Sequence, residues 1–258
     1  MSTSTSPFLI ENLNLSETWM AALRKITDTG GSEITPLVVT ITDFEESKDV
    51  KNALNDDLGK HKLPTIETVS DTIFPQGIYE YLQYTNKYSR EELYKVYRKN
   101  LPRYKKIDKS NANGTYFERM IAFGSKDEKV NQLEIIISSL IDNTIKRRSK
   151  LQAAIFDPSK DHTNKPFQGF PCLQHVTFYK SETGGLILNS FYAIQYLYRR
   201  AYGNWLGLIN LGKFVAQETG LELERFNCFI GVEHLDHIKK HEARKLLTSM
   251  DEMISIEV

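Results

Sequence analysis

Short β-branched and apolar runs alternate along this chain with longer stretches in which apolar residues recur every three or four positions. Residues 37–42 (Leu-Val-Val-Thr-Ile-Thr) predict a buried strand, because the run is short and rich in β-branched side chains. Apolar residues spaced i, i+3, i+4, i+7 from Leu133 to Leu140 predict an amphipathic helix over residues 130–143. The chain therefore mixes helices with strands, and the strands gather in its second half.

Turn and capping residues delimit further elements. Ser89 followed by Glu92 is a capping-box pattern that predicts the start of a helix. A turn at residues 181–185 contains two glycines and predicts a β-hairpin between strands at 174–179 and 186–192. The other predicted elements are a helical region at 45–62, strands at 151–156 and 226–232, helices at 206–217 and 237–247, and a last strand at 254–258. These elements predict an α+β fold in a single domain over residues 1–258, with residues 1–35 as a candidate peripheral N-terminal segment.

Composition and charge narrow the class of protein. Thirty-three Lys and Arg balance thirty-three Asp and Glu, which argues against a dedicated nucleic-acid binder. No apolar run approaches the roughly 18 residues that span a bilayer, and the N-terminus shows no basic region followed by an apolar stretch, so we expect neither a membrane span nor a secretory leader. Cys172 and Cys228 are the two cysteines, too few for a disulfide framework, and we expect a cytoplasmic protein, with Cys228 in the core.

The most specific chemical signal is a cysteine directly after a proline at the start of an alternating run. Cys172 follows Pro171 and precedes Leu-Gln-His-Val-Thr-Phe; Asn204 and the segment 231–236 (Gly-Val-Glu-His-Leu-Asp) follow at fixed spacing. Together these segments resemble the second half of the thymidylate synthase family. A weaker resemblance extends back to Thr65.

The resemblance implies both a fold and a chemistry. The fold is a mixed β-sheet with helices packed on one side, whose sheets pack together in a homodimer. Cys172 corresponds to the nucleophile that adds to C6 of a pyrimidine, Asn204 to the residue that reads the base, and His234 to a polar group near the sugar. Addition of the thiolate makes C5 nucleophilic, and that carbon takes a one-carbon unit, as a methyl or hydroxymethyl group, from a reduced folate, methylenetetrahydrofolate. Such a thiol must be partly ionised, so we expect Cys172 to be exposed and more acidic than an ordinary thiol.

The chain departs from the family pattern on the phosphate side of the site. The family's Arg-Ser pair and its following Asp correspond to Ala193, Ile194 and Tyr196. Asp236 stands where the family has a tyrosine. The family's long C-terminal tail, which closes over the folate, has no counterpart before Val258. These departures together indicate a changed ligand or lost activity, and they argue against the folate.

Other polar residues are candidates for substrate binding. The resemblance places the cluster 146–150 where the family lends arginines across the dimer: one alignment puts Arg147 and Arg148 on that pair, the gapless one puts Ser149 and Lys150 there. Further candidates are Arg199, Arg200, Gln174 and Asp236. Both basic clusters are equally well explained as solvated charges at helix ends or in loops.

Two other patterns lead to simpler interpretations. His234, His237 and His241 are spaced as metal ligands on one helix face would be, but His234 is expected at a strand end, so we predict no metal. The basic, tyrosine-containing stretch 95–109 is typical of an amphipathic helix with an exposed lysine face. Two hypotheses remain: a divergent thymidylate synthase-like enzyme acting at C5 of a pyrimidine nucleotide or nucleoside, and a non-catalytic homologue that binds a ligand or a protein through the same cleft.

Overall fold

A mixed β-sheet organises the molecule in the computed structural model, which describes residues 7–125, 127–142, 147–164 and 171–256. The strands are β1 (Phe8–Asn14), β2 (Glu33–Ile34), β3 (Leu37–Asp43), β4 (Phe123–Gly124), β5 (Lys129–Val130), β6 (Gln152–Ala154), β7 (Leu173–Lys180), β8 (Leu186–Tyr196) and β9 (Leu223–His234). The α-helices are α1 (Leu15–Asp28), α2 (Lys48–Lys60), α3 (Ile66–Ser70), α4 (Gln76–Tyr84), α5 (Arg90–Ile107), α6 (Tyr116–Ile121), α7 (Gln132–Ile141), α8 (Pro158–Asp161), α9 (Tyr202–Thr219) and α10 (Lys240–Ile256). The predicted α+β class is confirmed.

The main sheet has the strand order β1-β3-β9-β8-β7-β6, and β2 pairs with the end of β9. β1 runs parallel to β3 and β8 runs parallel to β9, whereas the other neighbours are antiparallel. The predicted hairpin is the β7–β8 pair. β9 pairs with β8 on the other side, and a π-helical turn at Leu197–Ala201 and α9 separate these two strands in the sequence. At the centre of the sheet, β8 therefore has one neighbour joined by a short turn and one joined through a long helix.

One face of this sheet is buried and the other is largely uncovered within the described residues. Leu188, Phe226 and Cys228 are fully buried on the inner face, which confirms Cys228 as a core residue. On the outer face, Phe229 keeps 44% of its surface exposed and Leu9 keeps 55%. This alternation follows the two-residue period of a strand that has a core on one side only.

Most predicted helices form where capping residues place them. The Ser89 side chain accepts a hydrogen bond from the backbone N–H of Glu92 (3.1 Å) and starts α5. Gly220 ends α9 in the left-handed region at φ 67°, a conformation that glycine adopts without a steric penalty. α9 nevertheless begins four residues before the predicted position, at Tyr202, because it continues directly from a π-helical turn at Leu197–Ala201.

The N-terminal segment is an integral part of the core. β1 pairs along β3, and in α1 the side chains of Trp19 and Leu23 are fully buried. The Trp19 indole N–H donates to the carbonyl of Leu197 (3.0 Å), at the start of the π-helical turn. The expectation of a peripheral segment is therefore wrong for residues 7–35, the described part of 1–35.

The predicted last strand at 254–258 is wrong where the structure describes it. α10 extends to Ile256, and residues 257–258 lie outside the described residues. Ile254 continues the apolar stripe of Leu247 and Met250, which are buried. Burial of this stripe favours a helix through the end of the described chain, although the last residues are rich in β-branched side chains. No helix among the described residues is long and apolar enough to cross a bilayer.

Candidate functional site

A cleft with a volume of about 250 Å³ opens where β7 begins and β8 ends. We call it the thiol cleft, because Cys172 lies in its wall. Its other lining residues are Val69, Thr72, Asn111, Asn113, Gly114, Thr115, Tyr116, Pro171, Gln195, Tyr196, Arg199, Arg200 and Asn204. Four residues that the sequence proposes for the site, Cys172, Asn204, Arg199 and Arg200, thus come together in one cavity.

The backbone of Cys172 is held against β8. Its carbonyl accepts a hydrogen bond from the N–H of Ala193 (3.1 Å), and the next residue, Leu173, pairs with Tyr192. The side-chain amide of Gln174 donates to the carbonyls of Pro171 (2.9 Å) and Cys172 (3.2 Å). Gln174 does not line the cleft, and its amide supports the backbone that carries the thiol. Its predicted contact with a substrate stays a prediction.

A π-helical turn brings the two arginines and Asn204 to the cleft. Such turns are rare and often occur at functional sites, because the wider turn changes which side chains face a given side of a helix. Arg199 and Arg200 lie within the turn, and Asn204, which is 4% exposed, lies in the first turn of α9. α9 approaches α3 closely at Gly203, where an added Cβ would lie 2.7 Å from the carbonyl oxygen of Ile66. This contact brings α3, and with it Val69, to the cleft wall.

Burial controls the acidity of the thiol. Burial raises the pKa of Cys172 above its ordinary value, and the positive charges of Arg200 and Arg199 offset only part of that shift. Tyr116 lies close by, and burial likewise raises the pKa of its phenol, with the neighbouring Cys172 adding to the effect. The expected acidic thiol is thus wrong for this chain by itself: two cations are near it, but the low-dielectric surroundings outweigh them.

An ion pair engages one of the two arginines. Arg199 Nε lies 2.7 Å from Asp236 Oδ2, and its guanidinium stacks 4.4 Å from the ring centroid of Tyr196. Burial raises the pKa of Asp236 to about 6, and Arg199 opposes that shift. Asp236 does not line the cleft and reaches it only through its contact with Arg199, so its role in substrate binding stays a prediction. Arg200 has no carboxylate partner among the described residues.

His234 lies beside the cleft, not in its wall. It ends β9 as predicted, pairs with Tyr196 across the β8–β9 ladder, and contacts the Tyr196 ring with a centroid separation of 6.2 Å. His237 instead stacks on Tyr198 at 6.2 Å. No group of three potential metal ligands forms within the part of the chain that the structure describes.

The basic cluster before β6 lies away from the cleft of its own chain. Arg148 stacks on Tyr179 of β7, 4.9 Å from the ring centroid, and Arg147 donates to Ser149 Oγ (3.1 Å). Lys150 lines a separate open groove beside α7. Lys146 lies outside the described residues. Arg147, Arg148 and Lys150 therefore do not line the cleft of their own chain, and their contact with a substrate across a dimer stays a prediction.

Sequence reasoning missed Tyr116 and Gln195. The segment 111–116 is recognisable only as a turn and a helix start, and nothing local shows that Tyr116 packs beside the thiol. Gln195 carried no local signal either, because the two-residue period of β8 puts it in phase with Phe191 on the outer face, and only the fold buries it.

The chain matches no protein-family model and no curated protein.

Proposed function

We propose that this protein is a divergent thymidylate synthase-like enzyme that acts at C5 of a pyrimidine nucleotide or nucleoside through the Cys172 thiolate. The observation that supports the proposal most is the convergence of Cys172, Asn204 and the Arg199–Arg200 pair on the thiol cleft. Cys172 directly precedes β7, the arginines lie in the π-helical turn after β8, and Asn204 lies in α9. They supply a nucleophile, a cation and a hydrogen-bonding amide, which addition of a thiol to a pyrimidine needs.

The chemistry follows from the positions of these groups. The Cys172 thiol transfers its proton to solvent, and the sulfur forms a bond to C6 of the ring as the C5–C6 π electrons move towards C5 and the O4 enolate. An amide such as that of Asn204 stabilises the enolate by donating a hydrogen bond. C5 then takes an electrophile or a proton from solvent and loses its original proton. Elimination returns the sulfur to the thiolate. Arg200 favours the thiolate form, because its positive charge lowers the pKa of Cys172 and it forms no ion pair with a carboxylate among the described residues.

The donor of the one-carbon unit is a separate question. Ligand pockets commonly enclose about 300–1,000 Å³, whereas the thiol cleft encloses about 250 Å³. A cleft of this size does not fit a reduced folate together with a nucleotide. We therefore derive no step that uses methylenetetrahydrofolate.

A second function is favoured by the electrostatics of the cleft. Burial raises the pKa of Cys172, and Asp236 already neutralises Arg199. A thiol that stays protonated at neutral pH and an arginine that is already paired are what a non-catalytic homologue would retain. In that case the cleft binds its ligand without forming a bond to it.

Exchange of the C5 hydrogen distinguishes the two functions and requires no one-carbon donor. Thiolate addition at C6 labilises that hydrogen, so [5-³H]dUMP and [5-³H]dCMP should release tritium to water. Cys172→Ala should abolish the release, and Cys228→Ala, which removes the other thiol from the core, should retain it. Ligand binding with no release above the Cys172→Ala background would favour the non-catalytic function.

We also propose that two copies pack through the outer faces of their sheets. The rings of His175, Phe191 and Phe229 contact one another in sequence across β7, β8 and β9, with centroid separations of 5.9 Å and 5.6 Å. Arg148 stacks on Tyr179, which shares this face. A second copy would cover the apolar band and would bring the cluster around Arg148 towards the partner's cleft.

Sedimentation measures the assembly directly. The chain has a mass of 29.7 kDa, and sedimentation equilibrium of a dimer would give a molecular mass of twice that value. Phe229→Asp should dissociate it, because it would place a charge in a face that needs to bury about 800 Å² per partner. Tyr84→Asp, at a side chain that is 88% exposed on α4, is the matched control and should leave the mass unchanged. A monomer at micromolar concentration would refute the dimer and remove the source of the partner's cations.

A further inference from the structure

Gln195, which lines the thiol cleft, is a buried amide without a hydrogen-bond partner among the described residues. Its side chain is 1% exposed, and neither its oxygen nor its nitrogen forms a hydrogen bond with any of the described residues. The residue nevertheless lines the cleft. Glu233 pairs with it across the β8–β9 ladder, is fully buried, and also has both side-chain oxygens without a hydrogen-bond partner among those residues.

Such an arrangement is costly unless something satisfies it. A buried donor or acceptor without a partner costs the folded state its desolvation energy, whereas an apolar side chain of the same shape would pack there without that cost. Buried polar groups in folded proteins almost always have a partner, and a bound ligand or water supplies it when the chain does not. Of these two residues, Gln195 lines the cavity and Glu233 does not, so Gln195 is the candidate for a contact with a ligand.

We propose that Gln195 is a specificity-determining residue that pairs its side-chain amide with the donor–acceptor edge of a pyrimidine ring bound in the thiol cleft. The inference rests on the proposed function for the class of ligand. A primary amide offers one donor group and one acceptor side by side, and a pyrimidine presents a matching pair along its N3 edge. The ligand's sugar and phosphate then lie towards the arginines of the π-helical turn.

The test separates recognition of the base from recognition of the phosphate. Binding of dUMP, dCMP and deoxyribose 5-phosphate is measured by calorimetry for the wild type and for Gln195→Met, which keeps the length of the side chain but removes both polar atoms. Gln195→Met should weaken the preferred nucleotide about tenfold and leave deoxyribose 5-phosphate unchanged, because one pair of hydrogen bonds to the base is lost. Gln195→Glu, which keeps an acceptor and loses the amino donor, should change the ratio of dUMP to dCMP affinity.

Stability of the ligand-free protein provides a second measurement. Gln195→Met should unfold at the same urea concentration as the wild type or at a higher one, since it removes an unsatisfied group. Glu233→Gln is the matched control, because it alters the buried neighbour that does not line the cleft, and it should leave the dUMP to dCMP ratio unchanged.

The failures are distinguishable. If the wild type binds a pyrimidine nucleotide and Gln195→Met binds it equally well, the inference is overturned and the proposed function stands. A marked loss of stability in Gln195→Met would show that the amide has an internal structural role, which overturns the inference. An equal shift of the dUMP to dCMP affinity ratio in Glu233→Gln would show that Gln195 is not the residue that recognises the base, which also overturns it. If the wild type binds none of these nucleotides, the proposed function and the inference both fall.

Discussion

The buried ion pair between Arg119 and Asp161 provides the sharpest test of how the cleft is held. Two guanidinium nitrogens of Arg119 donate to the two carboxylate oxygens of Asp161, at 2.5 Å and 2.8 Å. The side chains are 9% and 1% exposed. The same guanidinium donates to the carbonyls of Ile155 and Asn113, each at 2.9 Å, and Asn113 lines the thiol cleft. The pair therefore joins α6 and α8 to the rim of the cleft.

Asp161→Asn should destabilise the protein by about 3–5 kcal/mol. The substitution keeps the shape of the side chain, but it leaves the Arg119 charge buried without its counter-ion, which typically costs that much. The chain offers a matched control in Arg24 and Asp251, a bidentate pair with distances of 2.9 Å and 3.0 Å whose side chains are 50% and 45% exposed. Asp251→Asn should cost about 0–1 kcal/mol, because solvent screens an exposed pair.

Urea unfolding followed by circular dichroism measures both variants on one scale, provided that the slopes of the transitions agree. Asp161→Asn should also weaken ligand binding in the thiol cleft, because the carbonyl of Asn113 depends on the same guanidinium. If Asp161→Asn costs no more than Asp251→Asn, burial does not decide the strength of these pairs and the reasoning is refuted.

Three further predictions concern the electrostatics of the site. Alkylation of Cys172 by iodoacetamide should show a pH midpoint above the ordinary thiol value of about 8.5, and Arg200→Gln should move it higher; a midpoint below that value would show that the cations outweigh burial. The folded-state pKa of Asp236 is about 6, above its unfolded value, so its stabilising contribution is present below about pH 4 and is lost as the pH rises through 6. Between pH 4 and pH 7, the free energy of unfolding of the wild type in urea should therefore fall by up to about 3 kcal/mol more than that of Asp236→Asn. Parallel pH profiles of the two proteins would contradict this. Calorimetry should find that the affinities for a nucleoside and for its monophosphate differ by no more than about tenfold, or 1.4 kcal/mol. Asp236→Asn should increase the preference for the monophosphate, because it frees Arg199 to bind the phosphate. A thousandfold preference in the wild type would show that a strong anion site lies elsewhere.

The sequence by itself determined the local structure of this protein. The β7–β8 hairpin, the start of α5 at Ser89 and the end of α9 at Gly220 follow from turn residues, caps and periodicity, which depend on interactions between residues close in the chain. The family resemblance carried by the segments around Cys172 and Asn204 implied that the thiol, the amide and the two arginines share one site, and the structure brings them to one cleft.

Tertiary structure decided everything that depends on residues from distant segments. The parallel pairing of β1 with β3 makes the N-terminal segment part of the core, although nothing within 1–35 indicates its partner strand. The continuation of α10 through Ile254 depends on the apolar stripe that it buries.

The chemical character of the site was decided in the same way. Two arginines lie near Cys172 in the fold, yet burial raises its pKa. Asp236, which follows β9, forms an ion pair with Arg199. Gln195 has no hydrogen-bond partner among the described residues. Residue types set which groups can ionise or donate. Their pKa values and hydrogen bonds depend on the desolvation and the charges that the packed fold brings to each of them, because both act through space and not along the chain.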